Sequence, residues 1–277
     1  MFLKQLFHKP HSIQYLYSCP RCKVVFVHPY TSSRKSSYGE DYYFYKSTEE
    51  YSYLNALKQV DFHICPFVDL DKKDQLFFEI GCGMGYVQDI LKHKYKNLDV
   101  YGMEISEYAG NFAQEQFGVK MSIGAFEELP FTDNYFDVIY NGGVLEHVED
   151  PYILLRKVYA ILKKGGTLIT TVPNFGSIYR KLNSNWKNLN IFHPLYYSEK
   201  NIGILLKKVG FKINTIDVQH LNVISRFGLF RLGVTKFTDK PWKTALSNEF
   251  KDAVYQSDYK YLNSYLKKHI GLYDENV

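Results

Sequence analysis

The residues of this chain best suited to hold a ligand are two carboxylates and a run of alternate glycines. Glu79 follows the apolar stretch Leu76-Phe77-Phe78, and Gly81, Cys82, Gly83 and Gly85 come directly after Ile80. Alternate glycines at a strand end mark a tight turn whose backbone N–H groups can approach a ligand with no Cβ in the way. A dinucleotide fingerprint needs G-x-G-x-x-G, whose third glycine lets helix and strand pack closely; the spacing here is G-x-G-x-G. The next apolar stretch, Val100-Tyr101-Gly102-Met103, ends in Glu104 and Ile105. That places a carboxylate about 20 residues past the glycines, where it can accept from ribose hydroxyls. The competing readings are a glycine hairpin without a ligand and a solvated acid at a strand end. Farther on, Asn141 ends Phe136-Asp137-Val138-Ile139-Tyr140, and Glu146-His147 follows. A neutral imidazole there can take a proton from a hydroxyl or amine near pH 7. The pair can equally be a helix start that only shapes the loop. His193, in Asn190-Ile191-Phe192-His193-Pro194, is the second such imidazole, with a packing role in a loop as its alternative.

The motifs form an ordered set. After the glycine turn and Glu104 come Leu129-Pro130-Phe131, Phe136-Asp137-Val138, Leu145-Glu146-His147-Val148, Leu162-Lys163-Lys164-Gly165-Gly166 and Val172-Pro173-Asn174. This order resembles that of the class I S-adenosylmethionine (SAM)-dependent methyltransferases, in particular the small-molecule enzymes grouped with ubiquinone-pathway and sugar methyltransferases. The resemblance covers roughly residues 74–217. It implies a Rossmann-like fold and SAM as cofactor, with Gly81, Cys82, Gly83 and Gly85 wrapping the methionine part. Glu79 is expected to orient turn amides or the ammonium, Glu104 and Ile105 to line the ribose, and Asn141 to sit where donor and acceptor meet. In the family an acid after the third strand meets the adenine amino group. Aligned on Leu129-Pro130-Phe131, that position is Ala125, so Ala125 and Phe126 are expected to edge the adenine through backbone groups.

The cofactor supplies the electrophile, so the protein must align sulfur, methyl and nucleophile and manage one proton. His147 and His193 are the candidates for that proton. The expected acceptor is a small or lipid- or nucleotide-linked molecule, methylated on a hydroxyl. The alternatives are a nucleic-acid or protein methyltransferase and a SAM-binding protein without turnover. Amino-group methyltransferases of DNA typically carry Asp/Asn-Pro-Pro-Tyr at the end of this strand. Here Asn141-Gly142-Gly143-Val144 offers room but no aromatic clamp for a flipped base, so no nucleic-acid partner is expected.

Composition agrees. The 277 residues carry a net charge of +5, with 45% hydrophobic and 23% charged side chains, as in an ordinary globular protein. No apolar stretch reaches the ~20 residues of a membrane span, and the N-terminus lacks a signal-peptide pattern. The four cysteines, Cys19, Cys22, Cys65 and Cys82, are too scattered for a disulfide framework. A cytoplasmic enzyme is the expectation.

Three parts position these residues. Residues 1–74 read as a small β/α segment: strand, knuckle and strand around Cys19-Pro20-Arg21-Cys22, then a helix toward Val60 with Ser47 at N-cap and Glu50 at N3. Relatives often begin with a zinc-ribbon-like segment of two C-x-x-C knuckles. Here only the second is present, so a Cys2His2 site with His8 and His11 stands against a vestigial knuckle with two reduced thiols, and no metal ligand is assigned. Residues 75–218 read as an α/β, doubly wound and mainly parallel sheet. Strands are expected at Leu76–Ile80, Val100–Glu104, Met121–Ile123, Phe136–Tyr140, Thr167–Val172 and Phe211–Ile216. A helix capped by Asp150 and Pro151 should be closed by Gly165. Residues 219–277 read as a helical extension that caps the substrate pocket or joins a homodimer interface.

Overall fold

The computed structural model describes residues 2–9, 12–30, 38–39, 49–177, 180–181, 192–218, 247–262 and 264, and of residues 2–9 and 12–14 the backbone alone. The central sheet has the strand order β6-β5-β4-β7-β8, all parallel, with β4 at Gln75–Ile80, β5 at Leu98–Glu104, β6 at Lys120–Ile123, β7 at Phe136–Gly142 and β8 at Leu162–Thr171. The order runs outward from β4 in one direction and resumes at β7 in the other. The reversal opens a crevice at the carboxyl ends of β4, β5 and β7, where such sheets bind ligands.

Side-chain alternation explains why helices cover both faces. Phe77, Val100, Val138 and Tyr140 point into one core. It is covered by α1 (Glu49–Lys58), α2 (Tyr86–Lys94), α3 (Glu107–Phe117) and, near the C-terminus, α6 (Asn248–Tyr255). Phe78, Ile80, Met103 and Ile139 point into the other, against α4 (Pro151–Ile161) and α5 (Glu199–Val209). Burial on both faces is what makes these strands read as continuous apolar runs. The caps follow sequence chemistry. Asp150 accepts from the Tyr152 and Ile153 amides ahead of Pro151, Ser106 accepts from Ala109, and Ser198 and Asn201 form a capping box. Ser47, expected to cap α1, lies outside the described residues. The helix continues as a π-helical turn over Gln59–Ile64.

A second, antiparallel sheet has the order β1-β2-β3-β9, with β1 at Phe2–Lys9, β2 at Ser12–Ser18, β3 at Val25–His28 and β9 at Leu195–Tyr196. The Cys19–Cys22 knuckle joins β2 to β3, tied by Cys19 N to Val24 O and Lys23 N to Cys19 O. Of the pair set against it, His11 and the His8 side chain lie outside the described residues.

Two expectations are overturned. Gly165 does not close α4: that helix ends at Ile161, Leu162 is already extended, and Gly165 takes φ +82 inside a bulge of β8. Leu162 pairs with Phe136 and Thr167 with Val138, so the extra residues loop out while Lys163 bonds Asp137 at 2.7 Å. The expected strand Phe211–Ile216 is irregular. Its apolar side chains are spent on helices: Phe211 stacks edge-on with Tyr159 at 5.1 Å, and Ile213 and Ile216 lie over Gly203 of α5. Between this segment and β8 runs an open groove of about 1420 Å³, away from the glycine turn. Among the described residues no helix is long and apolar enough to cross a membrane.

Candidate active site

The glycine turn folds as its spacing demands. Gly81, Gly83 and Gly85 have φ of 73°, 55° and 81°, the left-handed region that side chains with a Cβ rarely adopt. Space is short as well: a Cβ on Gly85 would lie 2.6 Å from Ala113 Cβ, and one on Gly81 would lie 2.6 Å from Val144 Cγ2. The third glycine thus does for α2 and α3 what the last glycine of the dinucleotide pattern does, one residue earlier in the chain. The Gly81 and Cys82 amides both donate to Met103 O at 2.9 and 3.0 Å, which locks the turn to the end of β5.

Glu104 is braced by backbone. Its Oε2 accepts from Gly83 N at 2.9 Å and its Oε1 from Ser106 N at 3.0 Å. Ile105, half-buried, lies between these contacts. Glu79 sits beneath α2, bonded to Gln88 Nε2, and is 3% exposed. Burial, with the nearby Glu104 charge adding to it, pushes its carboxyl up to about 8. Burial likewise holds the Cys82 thiol neutral.

The loop after β6 comes next to this turn, since Gly124 N donates to Glu104 O at 2.9 Å. Ala125 and Phe126 follow, with Phe126 buried and Ala125 O accepting from Glu128 N. A residue with no motif to betray it holds this loop. Lys157 of α4 donates Nζ to Phe126 O at 2.6 Å, Glu127 O at 3.0 Å and Leu129 O at 2.5 Å. It also lies over the Phe126 and Phe131 rings. In sequence, Lys157 reads as an ordinary helix-surface lysine.

Beyond β7, Asn141 is fully buried, and neither of its side-chain polar atoms has a partner among the described residues. Glu146 and His147 lie in the single 3-10 turn Leu145–His147, and Tyr197 OH donates to Leu145 O at 3.2 Å. Glu146 is 4% exposed, its Oε2 has no partner among the described residues, and burial lifts its carboxyl to about 7. His147 Nδ1 lies 3.0 Å from Phe192 O, and the His147 and His193 rings meet edge to face at 4.6 Å. The fold therefore brings both candidate imidazoles to one place, although they come from different segments. It gathers Glu79, Gly81, Cys82, Gly83, Gly85 and Glu104 at the turn itself. Gln88 and Ser106, the partners of the two acids, were not singled out in the sequence. Ser106 carries the signal of an N-cap; Gln88 carries none.

Residues 78–170 match the family model described as "Methyltransferase domain". An uncharacterized protein of Methanocaldococcus jannaschii is 31% identical over 136 residues, which is 48% of this chain and 63% of that protein. Phosphoethanolamine N-methyltransferase 3 of Arabidopsis thaliana is 35% identical over 113 residues, 38% of this chain and 23% of that one. The ubiquinone/menaquinone biosynthesis C-methyltransferase UbiE of Desulfotalea psychrophila is 29% identical over 107 residues, 36% of this chain and 44% of that one. The matches thus span less than two thirds of the length of these relatives. Among solved structures, a SAM-dependent methyltransferase of Thermotoga maritima aligns with a TM-score of 0.46 at 28% identity, over 58% of this chain and 72% of that one. The match to a methyltransferase domain over residues 78–170 falls on the Rossmann-like parallel sheet.

Proposed function

We propose that the chain, which carries a SAM-dependent methyltransferase domain, transfers the SAM methyl group to a hydroxyl of a small or lipid- or nucleotide-linked acceptor. The observation that carries the cofactor half is the Gly83–Glu104 contact. A carboxylate at the end of β5 is fastened to the middle of a positive-φ glycine turn at the crevice of a doubly wound sheet. The residues fit SAM: the turn offers a close backbone approach, and the buried Glu104 carboxylate beside it favours a cationic ligand. Asn141 holds a buried amide in need of a partner. Gly81, Cys82, Gly83 and Gly85 would hold the methionine part, Glu104 and Ile105 the ribose, and Ala125 and Phe126 the adenine edge. When bound, SAM supplies the electrophilic methyl.

The chain's own part is position and proton. The Phe192 carbonyl has no proton to give, so Nδ1 of a neutral His147 donates to it and Nε2 keeps its lone pair. That nitrogen, beside His193, suits removal of a hydroxyl proton on the acceptor side. The relatives include an N- and a C-methyltransferase, so the atom methylated here rests on the imidazole pair.

Calorimetric titration with SAM, S-adenosylhomocysteine and NAD tests the cofactor, and transfer of labelled methyl to a panel of hydroxyl and amine acceptors tests the reaction. NAD binding without SAM binding would overturn the first half. Transfer to amines alone would overturn the second.

A further inference from the structure

We propose that Glu146, His147 and His193 bind a divalent transition-metal ion of the zinc type. Their ligand atoms all lie within 4.8 Å of one another. Two imidazoles and one carboxylate form a donor set that Zn²⁺ takes in sites that keep a further position open. Sequence spacing does not suggest it, because His193 arrives from a separate segment, and the sequence reading assigns no metal ligand.

Two observations go beyond proximity. The first is Glu146: it is 4% exposed, and its Oε2 meets no hydrogen-bond donor among the described residues. A buried carboxylate oxygen without a donor is costly, and a cation at this point satisfies it. The second is the anchoring of His147. Its Nδ1–H donates to Phe192 O at 3.0 Å, which fixes the ring and makes Nε2 the nitrogen that carries the lone pair. Metal-ligating histidines are commonly held in this way, through the nitrogen that does not touch the metal.

His193 completes the arrangement. It is 6% exposed, between the His147 ring at 4.6 Å and the Tyr196 ring at 6.2 Å. A metal takes both imidazoles in their neutral form. The bland alternative is a protonated Glu146 beside two packed rings. It predicts no ion.

Binding of the ion stands on these residues alone, whereas its role rests on the proposed methyl transfer. The open position would take the acceptor oxygen and lower its pKa, so that the hydroxyl proton leaves to solvent and the oxygen attacks as the S–CH3 bond breaks. In the loaded protein the ion thus replaces the imidazole as the activating group.

The test is a titration of the chelator-stripped full chain with Co²⁺, followed by its visible spectrum, and with Zn²⁺ against a chromophoric chelator. It is done without SAM, in a Cys19→Ser/Cys22→Ser background so that thiolates do not report. One tightly bound equivalent is expected. Glu146→Gln, His147→Ala and His193→Ala should each weaken binding by more than the ~10–100-fold that losing a supporting partner costs. Retained SAM affinity and an unchanged melting profile certify that a variant is folded, and His147, only half-buried, is the replacement least able to disturb the core. No bound ion, or binding indifferent to all three substitutions, overturns the inference while leaving methyl transfer standing. An ion bound by a chain that never binds SAM would leave the inference standing and sink the proposed reaction.

Discussion

Glu104 Oε2 accepts the amide of Gly83 at 2.9 Å across 21 residues of chain. The bond joins the ends of two adjacent parallel strands, and its partner oxygen is held just as firmly by Ser106 N at 3.0 Å. A residue expected from its spacing to face a ribose is therefore also the brace of the turn that would wrap the rest of the cofactor. Ligand contact and local rigidity reside in one side chain.

Removing that brace should weaken cofactor binding without unfolding the protein. Hydrogen bonds to a charged group contribute ~1.5–3 kcal/mol each. Glu104→Ala should lower SAM affinity by at least ~10-fold and Glu104→Gln by less, because the amide keeps an acceptor oxygen. Titration calorimetry reads both. Equal affinity in wild type and Glu104→Ala would show that the carboxylate takes no part.

Gly83 has φ 55° at the centre of the turn. A β-branched residue is strained there by ~1–2 kcal/mol, and its side chain would project toward the space the methionine part needs. Gly83→Val should abolish SAM binding and lower the melting temperature only modestly. Normal binding would mean that the turn is not the cradle.

If the imidazole acts on the acceptor as proposed, His147→Ala should retain SAM affinity and should lose ~10²–10⁴-fold in turnover, the usual worth of a group that handles the reacting proton. Rate measurements at saturating SAM decide this. An unchanged rate would shift the role to His193.

The buried Glu79 makes stability fall with pH. Its carboxyl is raised to about 8, chiefly by burial, whereas an unfolded glutamate titrates near ~4.3. Between these values the folded chain holds a proton that the unfolded chain has released, so the stabilising contribution is complete at acid pH and is lost as pH rises toward about 8. Denaturant midpoints between pH 5 and 8 should decline less in Glu79→Gln than in wild type, by no more than ~1.4 kcal/mol per pH unit. Parallel curves would mean that Glu79 is ionised throughout.

The turn, the two acids and the strands that carry them were legible because each rule acts locally. An apolar run buried on both faces, a glycine forced to positive φ and an acid at a strand end all show within a few residues. Gly165 misled because its positive φ serves a strand bulge, not a helix end, and one residue type satisfies both. Phe211–Ile216 misled because alternating apolar residues fit a helix surface as well as a sheet. The Lys157 clamp and the meeting of His147 with His193 were invisible for a different reason. Both depend on segments that only the tertiary fold brings together.

That the two-residue strand β9 pairs with β3 through Val25↔Tyr196 and Phe26↔Leu195 bears on how this scaffold can be altered. His193 lies two residues before that strand, and Val27 N reaches Pro194 O at 3.0 Å. The segment that carries His193 is therefore hemmed to the N-terminal hairpin on one side and, through Phe175 N to Tyr197 O at 2.6 Å, to the chain beyond β8 on the other. Anyone grafting a new acceptor preference onto this scaffold would have to transplant residues 12–30 and 192–198 together, because either piece alone would arrive without its seam.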